Sequence, residues 1–247
     1  MDIKQYLDST YLKTAAQAGV TEEENIETAK HYINEAIAEK FKLIMIRPEM
    51  VRIASSLTDA ADSLVLVGTV IDFPEGSAPL FDKLKEAQQA IDDGADELDY
   101  VINYTAFKAG DIDSVKKQVY ECTALGLKNN KTVKWIIETA ALTDSEIVRL
   151  CVLIKNVVLS HFEERYYERV FVKSSTGFYK TEGGAPNGAT VPAIKLMLEN
   201  SFPLPVKASG GVRTYDEAIE MISLGVKRIG TSSAKAIAYG GSAESSY

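Results

Sequence analysis

Short apolar or β-branched runs recur along the chain and alternate with longer segments that have the periodicity of helices. Runs too apolar for strands with one solvated face are typical of a parallel sheet covered by helices. Eight such runs occur, at residues 6–10, 42–46, 64–71, 95–102, 132–138, 170–175, 204–208 and 226–231. Strand followed by helix, repeated eight times, predicts an α/β fold made of a single (β/α)8 TIM barrel. A doubly wound open sheet is the alternative.

Polar signals mark where the helices between these runs begin and end. In a Thr-x-x-Glu capping box, the two side chains bind free N–H groups of the first helical turn. Three such boxes predict helix starts after Thr21, Thr143 and Thr214. Glycine often ends a helix, so helix ends are predicted at Gly94, Gly126 and Gly225.

The domain organisation follows from the length and from the lack of internal linkers. A chain of 247 residues is a usual size for one such barrel. No low-complexity segment or charge block interrupts the sequence before its ending, "GGSAESSY". We therefore predict one barrel domain over residues 1–239 and a flexible C-terminal tail over residues 240–247.

Composition and charge exclude several classes of protein. Hydrophobic residues make up 46% of the sequence and charged residues 25%, and no apolar run approaches the ~20 residues of a membrane span. The formal net charge of -8 argues against a nucleic-acid partner. The N-terminus, "MDIKQYLDST", has no apolar signal-peptide core, so a cytoplasmic location is expected.

Histidine and cysteine are too scarce for several kinds of catalysis. His31 and His161 are the two histidines, and both lie among charged residues, which argues against a zinc site and a histidine base. Cys122 and Cys151 fall in segments of helical periodicity, where buried structural thiols are expected. The chemistry is therefore expected to use Lys, Asp, Glu, Tyr and backbone amides.

The carboxyl ends of barrel strands face the active site, and here those ends are polar. The sixth and seventh strands supply Lys173 and Lys207, the fourth carries Asp99, and the fifth ends in Glu138. Adjacent strands lie about 4.8 Å apart, so the two ammonium groups are expected to be neighbours. Like charges that close, together with burial, lower the pKa of at least one lysine.

A neutral lysine near a carbonyl substrate favours Schiff-base chemistry, because the free amine attacks the carbonyl and the iminium then accepts electrons. Asp99, across the barrel mouth, is expected to relay protons through water. The alternative is that Lys173 and Lys207 form a purely structural ion-pair network with Asp99 and Glu138.

Three loops rich in small residues follow the last three strands: "SSTGF", "ASGGVRT" and "GTSSA". Small residues allow backbone N–H groups to approach an anion, and the last loops of these barrels often bind phosphate. With Arg213 alongside, they predict a phosphorylated substrate. Ordinary tight turns that need glycine are the alternative.

At these residues the sequence resembles the deoxyribose-phosphate aldolase family. The motifs "LDSTYLK", "GTVIDFPEG", "GADELDYVINY", "VKWIIET", "FVKSSTGF", "VKASGGVRT" and "RIGTSSA" follow the family's order over nearly the whole chain. The resemblance implies a class I aldolase that reversibly cleaves 2-deoxy-D-ribose 5-phosphate to acetaldehyde and D-glyceraldehyde 3-phosphate, in deoxyribose catabolism. It also implies that no metal ion or organic cofactor takes part.

The resemblance also implies roles for individual residues. Lys173 would form the Schiff base, Lys207 would lower its pKa, and Asp99 with Lys207 and a water would move protons. The residues expected to bind substrate are Asp8, Thr10, Glu138, Thr176, Gly177, Gly210, Gly211, Arg213, Gly230, Ser232 and Ser233. Tyr247, at the end of the tail, is a candidate proton relay, although terminal residues are more often disordered.

Several positions depart from the family pattern. Many members have histidine where this chain has Ser9, cysteine where it has Met45, and some have lysine where it has Phe178. We expect changed packing or substrate tolerance with retained activity, and one cation fewer near the phosphate. The segment "YKTEGGAPNG" at residues 179–188 is an insertion of uncertain geometry.

Two other functions fit the same residues. A second Schiff-base aldolase with a longer keto donor would differ in its choice of donor. A non-catalytic barrel that senses a sugar phosphate would bind phosphate and form no imine. The oligomeric state is open, and a homodimer is compatible with apolar residues on the outer helices.

Overall fold

The fold is a closed barrel of eight parallel strands surrounded by helices. The computed structural model describes residues 1–184 and 187–241. The strands are β1 (Leu7–Tyr11), β2 (Leu43–Ile46), β3 (Leu66–Ile71), β4 (Glu97–Val101), β5 (Thr132–Ile136), β6 (Val170–Lys173), β7 (Val206–Ser209) and β8 (Arg228–Thr231). Each strand pairs in parallel with the next, and β8 closes on β1. The predicted (β/α)8 barrel is confirmed, and the open-sheet alternative is wrong.

Helices connect the strands over the outside of the barrel. They are α1 (Ala15–Ala18), α2 (Glu22–Glu39), α3 (Val51–Ala60), α4 (Leu80–Asp92), α5 (Tyr104–Lys108), α6 (Ile112–Lys128), α7 (Asp144–His161), α8 (Val191–Ser201), α9 (Tyr215–Leu224) and α10 (Ala234–Ala238). Short 3-10 turns supplement them. Within the described residues, no helix has both the length and the apolar character to cross a membrane.

The three predicted capping boxes are confirmed, as are two of the three predicted helix ends. Thr21, Thr143 and Thr214 each bind the N–H of the residue three positions later and complete the predicted capping box. Gly225 ends α9 in the left-handed conformation, with φ of 115°. Gly94, with φ of 105°, follows the last residues of α4.

The predicted helix end at Gly126 is wrong, because α6 continues to Lys128. A Cβ atom on Gly126 would lie 2.3 Å from Cγ2 of Val133 on β5. The glycine therefore allows the helix to lie directly against the strand and does not end the helix. Sequence alone cannot separate these two uses of glycine.

The main hydrophobic core lies between the outer surface of the barrel and the helices. Trp135 and Tyr100, on neighbouring strands, are fully buried there with their rings stacked 5.1 Å apart. A second, smaller cluster is made of Leu12, Leu43, Met45 and Val70. Since the register pairs Met45 with Gly68 of β3, the missing side chain at Gly68 leaves room for the end of Met45.

The last described helix, α10, ends at Ala238. Residues 242–247 of the predicted tail, including Tyr247, lie outside the described residues. The flexible tail and the Tyr247 relay therefore stay predictions.

Candidate active site

Asp99 is the centre of a buried group of lysines. Its Oδ1 accepts a hydrogen bond from Nζ of Lys134 at 2.6 Å, and its Oδ2 accepts from Lys173 at 2.9 Å and from Lys207 at 3.0 Å. The four residues come from β4, β5, β6 and β7, and a side chain on β4 reaches one on β7 only through the inside of the barrel. The interior is therefore ionic on this side.

Parallel register explains why the two predicted lysines meet. Lys173 and Lys207 are direct partners in the β6–β7 ladder, so their side chains leave the sheet side by side. Both ammonium groups bind the same oxygen of Asp99. Sequence analysis placed Asp99 across the mouth with water between; the structure has direct contact, because the barrel interior is narrow enough for side chains to fill.

The Lys173 side chain lies where the ionic interior meets an open cavity. Burial, together with the charge of Lys207, lowers the pKa of Lys173 to about 8 against the opposing effect of Asp99. A pKa near 8 leaves a useful fraction of free amine at neutral pH. Asp99 behaves in the opposite way: burial alone would raise its pKa, but Lys134, Lys173 and Lys207 together hold it well below its ordinary value.

A cavity of about 360 Å³ opens above Lys173. The loop after β6 lines it with Thr176 and Gly177, and the loop after β7 with Gly210, Gly211 and Arg213. Gly230 of β8, Ser232 just after it and Thr10 of β1 also line the cavity. The structure thus brings Lys173 and eight of the predicted substrate-binding residues around one space.

The match to known proteins agrees with this geometry. Residues 5–238 match the model of the DeoC/LacD family aldolases. The chain belongs to this aldolase family. A deoxyribose-phosphate aldolase of Thermococcus gammatolerans is 39% identical over 241 residues, covering 97% of this chain and 96% of the relative. That of Lactococcus lactis subsp. cremoris is 38% identical over 248 residues, with both chains covered completely.

Among solved structures, the tetrameric deoxyribose phosphate aldolase of Aeropyrum pernix superimposes with a TM-score of 0.76 at 28% identity. The match covers 96% of this chain and 89% of that one. The resemblance read from the motifs is therefore confirmed, as is the enzyme class.

Three predicted residues do not line the aldolase cavity. Asp8 is fully buried, with Oδ2 2.6 Å from Nζ of Lys207 and Oδ1 bound to Arg228. Ser233 is buried and lies on the far side of the loop after β8, in a small cavity facing α2. Glu138 lines a neighbouring cavity of about 390 Å³. In this structure Asp8 binds Lys207 and Arg228, and Glu138 binds Thr176.

Glu138 holds the loop after β6 in place. It follows β5 in the left-handed region, with φ of 56°, and its Oε2 accepts hydrogen bonds from the backbone N–H and the hydroxyl of Thr176. Burial raises the pKa of Glu138, and the bonds from Thr176 partly oppose this. The ion pairs between Glu138 and the lysines, which belonged to the alternative of a purely structural network, are absent among the described contacts.

The insertion packs closely on the loop after β7. Ala189 N donates to the carbonyl of Gly210 at 2.8 Å, and a Cβ on Gly188 would lie 2.1 Å from that oxygen. Gly210 has φ of 84°, and a Cβ there would lie 2.9 Å from Cα of Gly188. Both glycines are therefore needed for the two backbones to touch at the cavity wall.

The departures from the family pattern lie in apolar or buried surroundings. Met45 is fully buried beside Leu43, and Ser9 is buried on β1. Phe178, on the cavity rim, packs edge-to-face on Phe73 with ring centroids 5.1 Å apart. An aromatic contact thus occupies the position where some members have a cation.

Both thiols are buried, as predicted. Burial raises the pKa of Cys122 and of Cys151 to about 12, so neither is a nucleophile at neutral pH. They are free cysteines in the helices α6 and α7.

Sequence analysis missed three charged residues of the interior: Glu97, Lys134 and Arg228. Lys134 forms ion pairs with Glu97 and Asp99, and Arg228 binds both Glu97 and Asp8. The signal was present, since each of the three is a charged residue inside a strand whose other residues are mostly buried. A charge in such a strand has to find a partner inside the barrel.

Proposed function

We propose that the protein is a deoxyribose-phosphate aldolase, which reversibly cleaves 2-deoxy-D-ribose 5-phosphate to acetaldehyde and D-glyceraldehyde 3-phosphate. The observation that carries this proposal is the position of Lys173: a buried amine with a lowered pKa, at the floor of a cavity whose walls are glycine-rich loops. The family membership supports the reaction class, and the names of the full-length relatives support the substrate.

The reaction begins at the amine of Lys173. Its nitrogen attacks the aldehyde carbon C1 of the open-chain sugar, and loss of water from the carbinolamine gives an iminium. The C3 hydroxyl then gives up its proton, the C2–C3 bond breaks, and its electrons move to C2 and the iminium as an enamine. D-glyceraldehyde 3-phosphate leaves; protonation at C2 and hydrolysis release acetaldehyde and restore Lys173.

Lys207 and Asp99 together serve the proton transfers next to this nitrogen. Because Asp99 has a strongly lowered pKa, it stays a carboxylate and orients the ammonium groups beside it. Lys207, bonded to the same oxygen of Asp99 as Lys173, is then the donor to the departing hydroxide of the carbinolamine. A water between Lys207 and the substrate completes the transfer at C3 and C2.

The glycine-rich loops after β6, β7 and β8 are the proposed phosphate site. Three glycines of these loops have φ between 81° and 84°: Gly177, Gly210 and Gly211. Backbone in this left-handed conformation can point successive N–H groups at one anion, which an extended backbone cannot do. Arg213 supplies a cation at the cavity wall.

We also propose a location and an assembly for the protein. A cytoplasmic enzyme of deoxyribose catabolism fits the absence of a membrane-spanning helix among the described residues. A homodimer is proposed, and light scattering during size-exclusion chromatography measures it directly.

The deciding experiment traps the imine. Wild type and Lys173→Ala are incubated with acetaldehyde and borohydride and analysed by intact and peptide mass spectrometry. A reduced two-carbon adduct is expected on the peptide that holds Lys173. Lys235→Ala, which removes an exposed lysine, is the matched control and keeps the adduct. A folded wild-type protein that binds sugar phosphate without forming an adduct would be a sensor, and efficient use of larger ketone donors would identify a different aldolase.

A further inference from the structure

Six charged side chains form a closed ring inside the barrel. Starting from Asp99, the ring passes to Lys134, to Glu97 and to Arg228. It continues from Arg228 to Asp8, from Asp8 to Lys207, and from Lys207 back to Asp99. Positive and negative groups alternate around it. The contacts join β4, β5, β8, β1 and β7, so the ring spans more than half of the barrel wall.

The geometry of the ring is that of real ion pairs. Arg228 donates to both oxygens of Glu97, at 3.1 and 3.2 Å, and its Nε donates to Asp8 at 2.7 Å. Arg228, the most exposed member, is 6% exposed, and the other five are 2% or less. At such burial each charge strongly affects the protonation of its neighbours, since little water screens it.

The ring is electrically balanced without Lys173. Lys134, Lys207 and Arg228 are its cations, and Asp8, Glu97 and Asp99 are its anions. The pKa of each acid is lowered and the pKa of Lys134 and of Arg228 is raised, so the ring holds these groups in their charged forms. A protonated Lys173 would add a cation that no ring anion is left to balance.

The other groups facing Lys173 do not change this balance. Asp99, Lys134 and Lys207 belong to the ring, and Glu138, after β5, is the further acid that acts on Lys173. Burial raises the pKa of Glu138, which weakens it as a counter-ion. The neutrality of the ring therefore favours the free amine of Lys173.

We propose that Glu97 and Arg228, which do not line the substrate cavity, are positioning residues that set the protonation of Lys173 through the net charge of this ring, Arg228 disfavouring its ammonium form and Glu97 limiting that effect. Arg228 supplies a positive charge that does not change with pH, because a guanidinium keeps its proton at any ordinary pH. Glu97 balances it and holds Lys134 against Asp99. The inference rests on the proposed Schiff-base function and assigns its control to residues at the first positions of β4 and β8, away from the loops that line the cavity.

The test compares two substitutions that change the ring charge in opposite directions. Glu97→Gln leaves the ring one positive charge in excess and Arg228→Gln leaves it one negative charge in excess. The rate of borohydride-trapped adduct formation with acetaldehyde is measured against pH for each. Wild type is expected to gain rate with a midpoint at about pH 8.

Opposite shifts are expected. Glu97→Gln lowers the midpoint by about 0.5 pH unit or more and Arg228→Gln raises it by a similar amount, so at pH 7 adduct formation becomes roughly threefold faster or threefold slower. Glu97→Asp and Arg228→Lys keep the charge and are the matched controls. The double variant Glu97→Gln/Arg228→Gln restores neutrality, and its midpoint returns toward that of wild type.

A purely structural ring gives a different result. Loss of packing slows both variants at every pH and leaves the midpoint in place, and shifts of the same sign contradict the proposal equally. Circular dichroism checks the fold; if Arg228→Gln does not fold, the Glu97→Gln and Glu97→Asp pair still decides by its midpoint. Wild type without any adduct would reject the aldolase function itself, a separate outcome.

Discussion

The inside of the barrel has an apolar half and an ionic half, which are stabilised by different interactions. On β2 and β3, Leu43, Met45 and Val70 form a dry apolar cluster with Leu12. On the remaining strands, the interior positions carry the ion-pair ring and Lys173. The two halves are equally buried. Burial therefore predicts the position of a residue in this barrel but says little about its chemistry.

The difference teaches what each half can tolerate. The apolar half is stabilised by close packing of its side chains. The end of the Met45 side chain fills the space that a side chain at position 68 would occupy. The ionic half is stabilised by charge balance, so its contribution depends on pH and on every partner being present. A substitution of similar size should thus have very different consequences on the two sides.

The largest expected effect follows from removing the shared anion. Asp99→Asn leaves Lys134, Lys173 and Lys207 facing one another without their common carboxylate. We expect the free energy of unfolding to fall by about 3–5 kcal/mol at neutral pH, with loss of activity. Urea denaturation measures the change.

The pH dependence of that loss tests its cause. As pH rises toward the ordinary pKa of lysine, the unpaired ammonium groups lose their protons, so the difference from wild type should shrink by about pH 9.5. A difference that stays constant from pH 7 upward would mean that packing, and not charge, causes the loss.

A stabilising effect is expected from Lys173→Met. The pKa of Lys173 is lowered from 10.5 to about 8, so below pH 8 the folded protein carries the cost of an unfavourable buried charge. That cost disappears as pH rises from 8 to 10.5, because the unfolded chain loses its proton as well. Lys173→Met should therefore gain about 1–3 kcal/mol at pH 7 and progressively less at higher pH.

Lys235→Met is the control for this gain, because Lys235 is exposed. It loses only surface ion pairs with Glu35 and Glu39, so it should change the free energy of unfolding by less than about 1 kcal/mol and give no gain at pH 7. A destabilised Lys173→Met variant at pH 7 would show that the bond to Asp99 outweighs the burial of the lysine.

The smallest effect is expected in the apolar half. Met45→Leu keeps the side-chain volume nearly constant, so it should lower the free energy of unfolding by less than about 1.5 kcal/mol and leave the aldol cleavage activity intact. The cost should be the same at pH 6 and at about pH 9.5, because no ionisable group changes its surroundings. A pH-dependent cost would mean that the two halves are coupled through the barrel interior.

The sequence predicts the barrel because local signals repeat. Apolar runs locate all eight strands, and the boxes at Thr21, Thr143 and Thr214 locate three helix starts. Lys173 and Lys207 were found because each lies near the end of a predicted strand, and strand ends meet at one face. Errors remain where two physical uses share one residue type, as at Gly126.

The pairing inside the barrel lies beyond such local signals. Lys134 lies in the middle of β5 and Arg228 at the start of β8, where the pattern shows a buried charge but not its partner. The partner depends on closure, since Arg228 meets Asp8 only once β8 has joined β1. The close contact of Gly188 with Gly210 is hidden for the same reason, because it joins two loops across the mouth.

The span of the Asp8–Arg228 contact, 220 residues along the chain, has a consequence for biosynthesis. A ribosome therefore makes Arg228 220 residues after Asp8. Until Arg228 is made, the nascent chain carries Asp8, Glu97 and Asp99 without the guanidinium that pairs with two of them. The charged surroundings of Lys173 are therefore completed only when β8 has been made, and a product that terminates between β6 and β8 carries Lys173 without them.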